Sequence, residues 1–392
     1  MANLRPEDYC IVWIAPLEIE AQAALHMLDH RHTGSFPLSR GDDYVFRAGD
    51  MCGHNIVIAT LPAGQEYGTG SAAALASQAK RFFPNFWFGL LVGVAAGIPD
   101  FRRSPPRDIR LGDVLVSIPD VDHAGAIAYD LGKEIGKDEL ELLRQGHILA
   151  QTEPVVRSAI GNIKLESPNE SKLFLSYYKA MKNKRHANGT FMDPGQEQDK
   201  LYQADNEGVE RLVERQPRPI SQRTSVWYGP MGSGEKLMKN AARRDQLRDQ
   251  YGIIGLEMEA AGVMNRIPVG IIRGACDYAD EHKNKEWQPY AAAMAAAYAK
   301  AILSQISPKN GPGDSETRRC NSCCDAPKNK GPRKLSFRES TDSDEDDTRK
   351  KCPNIDETTE TAAGTRNVIF RGQGNQIIGS GNISIGGGQY FR

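Results

Sequence analysis

Hydrophobic positions fall in short uncharged runs separated by longer stretches of helical spacing. "YCIVWIA", "HNIVIATL", "FWFGLLVGVAAG", "GDVLVSIP" and "VGIIRGA" are apolar and rich in β-branched residues. Runs of this kind suit strands buried on both faces of a sheet. "GSAAALASQAKRFF" and "WQPYAAAMAAAYAKAILSQI" read as helices, the second with a small-residue face suited to close packing. "SGEKLMKNAARRDQLRDQYG" predicts a helix opening at Ser233 and stopping at Gly252. Alternation of this sort predicts an α/β domain with a sheet covered by helices on both faces. Sites in such sheets gather at the C-terminal ends of strands.

The pattern ends near Ser307. Residues 307–364 are rich in Pro, Gly, Ser and charge. They cannot bury enough apolar area to offset ordering entropy and are expected to be a disordered linker. Residues 365–392 change again, with aliphatic residues at short intervals among Gly, Asn and Gln. Three segments follow: a domain over 1–306, a linker over 307–364 and a tail over 365–392.

Composition narrows the function. The 392-residue chain carries a net charge of −1, which argues against a nucleic-acid surface. No apolar run reaches membrane-spanning length and the N-terminus shows no signal-peptide core, so no membrane partner is expected. Seven cysteines, four of them in the polar linker, do not make a secreted disulfide framework, and a reducing cytoplasm is the expectation. Cys320, Cys323 and Cys324 carry half of a zinc spacing without the second half, so neither metal nor cofactor is expected.

The chemistry concentrates at strand ends. "PVGIIRGACDYADEH" drives an apolar strand inward and ends it with Arg273 and Asp277. This is either an ion pair closing a strand or a catalytic site. "GLEMEAAGV" sets Glu257 and Glu259 in an apolar segment, where a carboxylate is costly without partners. Glu18 follows the first strand and either caps the next helix or serves the site. "YGTGSAA" at 67–73 is a candidate phosphate cradle at a helix N-terminus, although close packing explains its glycines equally well.

"GLEMEAAGV" followed by "IIRGACDYAD" resembles the purine nucleoside phosphorylase and nucleosidase superfamily, in the branch of the methylthioadenosine/S-adenosylhomocysteine nucleosidases. The chain also resembles the nucleoside phosphorylase-like domains of fungal NLR-type immune proteins. "APLE", "GVAAGI", "LGDVLVS", "WYGPMGSGEKLMKN" and "CDYADEHKNKEWQPYAAA" carry the likeness in family order over about residues 8–306. It implies a three-layer α/β fold with a mixed central sheet of partial barrel character, and cleavage of a purine N-glycosidic bond. Asp277 would give a proton or hydrogen bond to purine N7 and is expected to keep a proton through burial. Glu259, with Met258, would hold the ribose hydroxyls and Glu257 would sit beside them. Arg273 and Glu18 would hold and activate water, with Glu20 the alternative in the same motif. Gly93, Ala95 and Gly97 would form the floor. Ala96, Val94 and Cys276 depart from the family pattern without removing a charged role.

An acid after the first strand would repel phosphate, so hydrolysis is favoured over phosphorolysis. The resemblance also implies an adenine nucleotide such as ATP as substrate, since immune-associated members depurinate adenine nucleotides. Arg102, Arg103 and Arg107 are then candidates for holding its phosphates, the alternative being a solvated basic loop. A homo-oligomer is expected. The tail "GNQIIGSGNISIGGGQYF" has the composition of stacked strands. It resembles fungal signalling-amyloid motifs around Ile378, Gly379 and Asn382, which would imply templating by an NLR partner. The chain thus reads as a nucleosidase recruited to a receptor, or as a catalytically silent sensor of the same fold.

Overall fold

The computed structural model of the chain describes residues 3–308, apart from 65–66, 120–124, 136–138, 143–150, 183–188 and 206–208. The chain divides into two units, Met1–Cys320 and Asn321–Arg392. All of the architecture below belongs to the first. The linker and tail expectations, with Ile378, Gly379 and Asn382, lie outside the described residues.

The five apolar runs form the strands Ile11–Ile14, His54–Ala59, Phe88–Gly97, Val114–Ser117 and Val269–Asp277. They build an 11-stranded mixed sheet. Its main path runs Val226–Gly229, Val114–Ser117, Val269–Asp277, Phe88–Gly97, Ile11–Ile14, His54–Ala59, Arg47–Met51 and His30–Arg31. The three strands at its centre are parallel, and Val269–Asp277 meets Val114–Ser117 antiparallel. Every residue of Val269–Asp277 is buried, which explains why the run is continuously apolar up to its functional end.

Helices cover the sheet. The expected small-residue helix is Gln288–Ser304. It lies so close to the central strand that a Cβ on Gly274 would overlap the carbonyl of Ala291. Its alanines are what allow that approach. The helix Ala260–Met264 packs equally tightly on the start of Thr69–Phe82, through Gly262 against Thr69.

One helix differs from expectation. Ser233 does not open it. Met231–Ser233 is a strand, paired in parallel with Gly255–Glu257, and the helix spans Ala241–Tyr251. Asn240 is its true cap, accepting from the Arg243 N–H at 2.8 Å, and Gly252 ends it at φ +63 as the sequence predicts. Tertiary pairing overrides the helical spacing of 233–240. The released residues 234–240 run along the site.

Candidate active site

Arg273 sits in the middle of the sheet, opposite Gly93 on one neighbouring strand and Leu115 on the other. Gly93 has to lack a side chain, because a Cβ there would overlap the Glu20 carboxylate and come within 2.7 Å of the guanidinium. Three acids from three elements converge on this fully buried arginine. Glu257 meets it at 2.5 Å, Glu259 at 3.0 Å and Glu20 at 3.7 Å. Glu257 ends a strand, and Glu259 stands just before the helix Ala260–Met264. The strand-to-helix corner lets two acids that share a two-residue spacing reach the same guanidinium.

The three acids are not equivalent. Glu257 also accepts from the N–H groups of Glu259 and Ala260, so it caps the short helix and its side chain is sealed. Glu20 accepts from the N–H of Leu17 at 2.8 Å and of Val94 at 2.7 Å, tying the first helix to the Gly93–Gly97 floor. Glu259 keeps the most exposed side chain of the three and borders the cavity.

One guanidinium cannot neutralise three carboxylates. Burial pushes Glu259 up to about 7, Arg273 pulling it down and Glu257 and Glu20 pushing it further up. Burial likewise raises Glu20, against the pull of Arg273. Burial works against the Arg273 charge, but Glu257, Glu259 and Glu20 together hold its proton above the usual range. Glu259 and Glu20 therefore hold a proton more firmly than free glutamates do.

Four residues along the same strand, a bulge at Cys276 turns the chain so that both Cys276 and Asp277 face the cavity. Asp277 is 4% exposed. Its Oδ1 accepts from the Ala279 N–H at 2.9 Å, in a turn where Ala279 takes φ +54. Its Oδ2 accepts from Cys276 Sγ at 3.2 Å and is paired with Lys283 Nζ at 3.0 Å. Burial would strip the Lys283 proton, and Asp277 outweighs it, so the ammonium is held more firmly than usual. The expected burial of Asp277 is present, together with a cation that the motif did not announce.

These groups border a cavity of about 700 Å³. Glu18, Glu20, Val94, Ala95, Met258 and Glu259 line one part of it. Gly93 and Gly97 lie in the strand beneath, Gly97 packed against Ile109 and paired with Gly255. Glu18 borders the same cavity but is exposed and accepts from Gln22 within its own helix. Glu20 is the acid turned onto Arg273. The helix register decides this, since residues 18 and 20 lie about 200° apart around the axis.

The guanidinium clamp is corrected by the structure. Arg107 is buried and donates to the carbonyls of Gly252 and Ile253. Arg102 pairs with Asp249. Arg103 is exposed, and none of the three borders the cavity. Arg107 is a lattice point between two loops rather than a ligand. The cradle at 67–73 is also occupied from within: Glu235 accepts from Thr69 N and Oγ1 and from Gly70 N. Its carboxylate takes the place a phosphate would need.

Lys283, Tyr129 and the segment 236–239 border the cavity without a role assigned from sequence, and Tyr67 of the candidate cradle borders it too.

The α/β architecture is a fold shared with solved nucleosidase and hydrolase structures. Futalosine hydrolase of Helicobacter pylori superposes with a TM-score of 0.50 over 76% of this chain and 98% of its own, at 16% identity. The 5′-methylthioadenosine/S-adenosylhomocysteine nucleosidase of the same organism gives 0.50 over 76% and 99%, at 15% identity. A mutant of that nucleosidase with 5′-methylthioadenosine in its active site gives the same values. No family model matches the chain. A nucleotide-binding leucine-rich repeat (NLR)-like protein of Hyaloscypha variabilis is 39% identical over 315 residues, covering 78% of this chain. The chain spans 30% of that relative's length. Among the described residues no helix is long and apolar enough to cross a membrane.

Proposed function

We propose that the domain hydrolyses the N-glycosidic bond of a purine nucleoside or nucleotide. The observation that carries this reading is one buried strand that holds an acid-ringed Arg273 and, four residues on, Asp277 on the wall of a cavity that Glu20 and Glu259 also line. Cleavage builds positive charge on the sugar and negative charge on the leaving base. Glu259 would accept from the ribose hydroxyls and favour the first. Asp277 would hydrogen-bond or protonate N7 and offset the second. Each such group is worth about 10²–10⁴-fold in rate. Glu20 would hold the attacking water and act as base in preference to Glu18, with Arg273 holding Glu20 from behind the cavity wall.

Water is favoured over phosphate by charge. A phosphate entering near Arg273 would face Glu20, Glu257 and Glu259, where the one cation is already surrounded. A nucleotide is favoured over a plain nucleoside by the cavity rim. Lys236, Lys239 and Lys285 are exposed there, on two loops, and supply the cations that the arginine loop does not. An adenine nucleotide such as ATP fits that reading. In the cell we propose an effector role in immunity or programmed cell death, supported by the NLR-like relative and the tail's composition, with recruitment through residues 365–392.

Purified protein incubated with adenosine, inosine, methylthioadenosine, AMP and ATP, with and without phosphate, tests the reading. Free base and unphosphorylated ribose C1 are the expected products, independent of phosphate. Ribose 1-phosphate would make it a phosphorylase. Turnover of none of the five would leave a silent sensor.

A further inference from the structure

Asp277 Oδ2 is fully engaged. Oδ1 accepts from Ala279, and Oδ2 holds Cys276 and Lys283. A purine base that takes Oδ2 must displace one of its two partners. Backbone and neighbouring thiol are fixed by the turn, whereas Lys283 sits on a flexible four-carbon stem.

A second place for that ammonium exists. Asp277 also borders a smaller cavity of about 220 Å³, and Cys276, Asp277, Lys283 and Asn284 line both cavities. Asp280 borders the smaller one. It is 2% exposed, its Oδ1 accepts from the His282 N–H at 3.1 Å, and its Oδ2 has no hydrogen-bond partner. A buried carboxylate oxygen without a partner is costly and rare in folded proteins. Here it stands in the same turn as Lys283, whose N–H donates to the Asp280 carbonyl at 3.4 Å.

We propose that Lys283 is a two-seat switch: its ammonium has one seat on Asp277 Oδ2 and another on Asp280 Oδ2, and a purine base that takes the first drives it to the second. This rests on the assignment of Asp277 to the base. The lysine keeps its three protons throughout and no bond is made or broken in the exchange. One buried ion pair replaces another, so the exchange costs little. Its consequence is catalytic. With the ammonium moved to Asp280, Asp277 Oδ2 takes one proton from solvent and donates it to N7, so one proton is bound together with the base. Lys283 and Asp280 act through Asp277 and are positioning residues.

The test is a double-mutant cycle with a structure beside it. Asp280→Asn removes the charge of the second seat and should lower kcat/KM about tenfold in the wild-type background. In a Lys283→Met background, where no ammonium needs a second seat, the same change should cost less than about twofold. An equal loss in both backgrounds, or none in the wild type, overturns the switch. Crystals of the wild-type protein soaked with adenine supply a readout independent of turnover and of variant folding. Adenine N7 on Asp277 with Lys283 Nζ on Asp280 supports it. Adenine on Asp277 with Lys283 still paired there overturns the switch and leaves the nucleosidase reading intact. Adenine seated away from Asp277 overturns both.

Discussion

The two ends of the Val269–Asp277 strand's polar stretch solve the problem of buried charge differently. Around Arg273, three acids meet one cation in the dry middle of the sheet. At Asp277, one acid meets one lysine on a cavity wall, and the lysine side chain is 20% exposed. The first cluster is over-acid, held by backbone donors, and binds a proton more firmly than a free glutamate does. The second is balanced and movable. On the proposed function, the rigid cluster would place water beside the sugar and the adjustable pair would give a proton to the arriving base.

The harshest break in the comparison is Arg273→Met. It leaves three carboxylates around a buried gap without their common cation, and removing one partner of a buried ionic group costs about 3–5 kcal/mol. Urea unfolding should show a loss of that order, and an unchanged midpoint would mean that the acids do not depend on the arginine. At the balanced end, Asp277→Asn should keep the fold, as read by circular dichroism, while base release falls about 10²–10⁴-fold. Wild-type rates from the folded variant would remove Asp277 from the chemistry.

Glu20→Gln and Glu18→Gln separate two acids that the motif presents together. The first should cost about 100-fold or more in kcat, the second no more than about twofold. Equal losses would return the base to Glu18.

The over-acid cluster should also show in pH dependence. Glu259 is raised from its ordinary range to about 7, so the folded chain binds a proton there that the unfolded chain releases. Stability from this source is complete below the ordinary glutamate range and is lost as pH rises through about 7. Melting temperature should fall over that window, and Glu259→Gln should flatten the slope. Activity should run the other way, since the ionised carboxylate is the better acceptor for ribose hydroxyls: KM should rise as pH drops below about 7. A melting temperature that does not fall as pH rises through that window would show that no proton is stored there.

The smallest effect lies at the rim. Changing Lys236, Lys239 and Lys285 to Gln should raise KM for ATP by roughly two- to fivefold per lysine and leave adenosine unaffected, as expected for exposed charges. Arg103→Ala should alter neither. The reverse result would restore the arginine loop as the phosphate contact.

Much of this was legible in the chain. The central strands, the alanine-rich final helix and the Gly252 stop follow from local spacing and from the cost of placing polar groups in a buried sheet. Arg273, Asp277, Glu257 and Glu259 stand out for the same reason, because charges in apolar runs demand partners. The partners themselves were not legible. Which of Glu18 and Glu20 turns inward depends on how the first helix lies over Gly93. Arg102 and Arg107 read as free cations until Asp249 and the Gly252–Ile253 carbonyls, about 150 residues away, consume them. The 67–73 loop reads as a phosphate cradle until Glu235 fills it. Nothing in local spacing pairs Lys283 with Asp277, six residues before it; the turn after the strand does. Periodicity and burial cost are properties of neighbours in sequence, so the chain alone determined the layers and the residues that need explaining. Pairing of charges is a property of neighbours in space, so only the tertiary structure decided which of them face the cavity and which hold the walls.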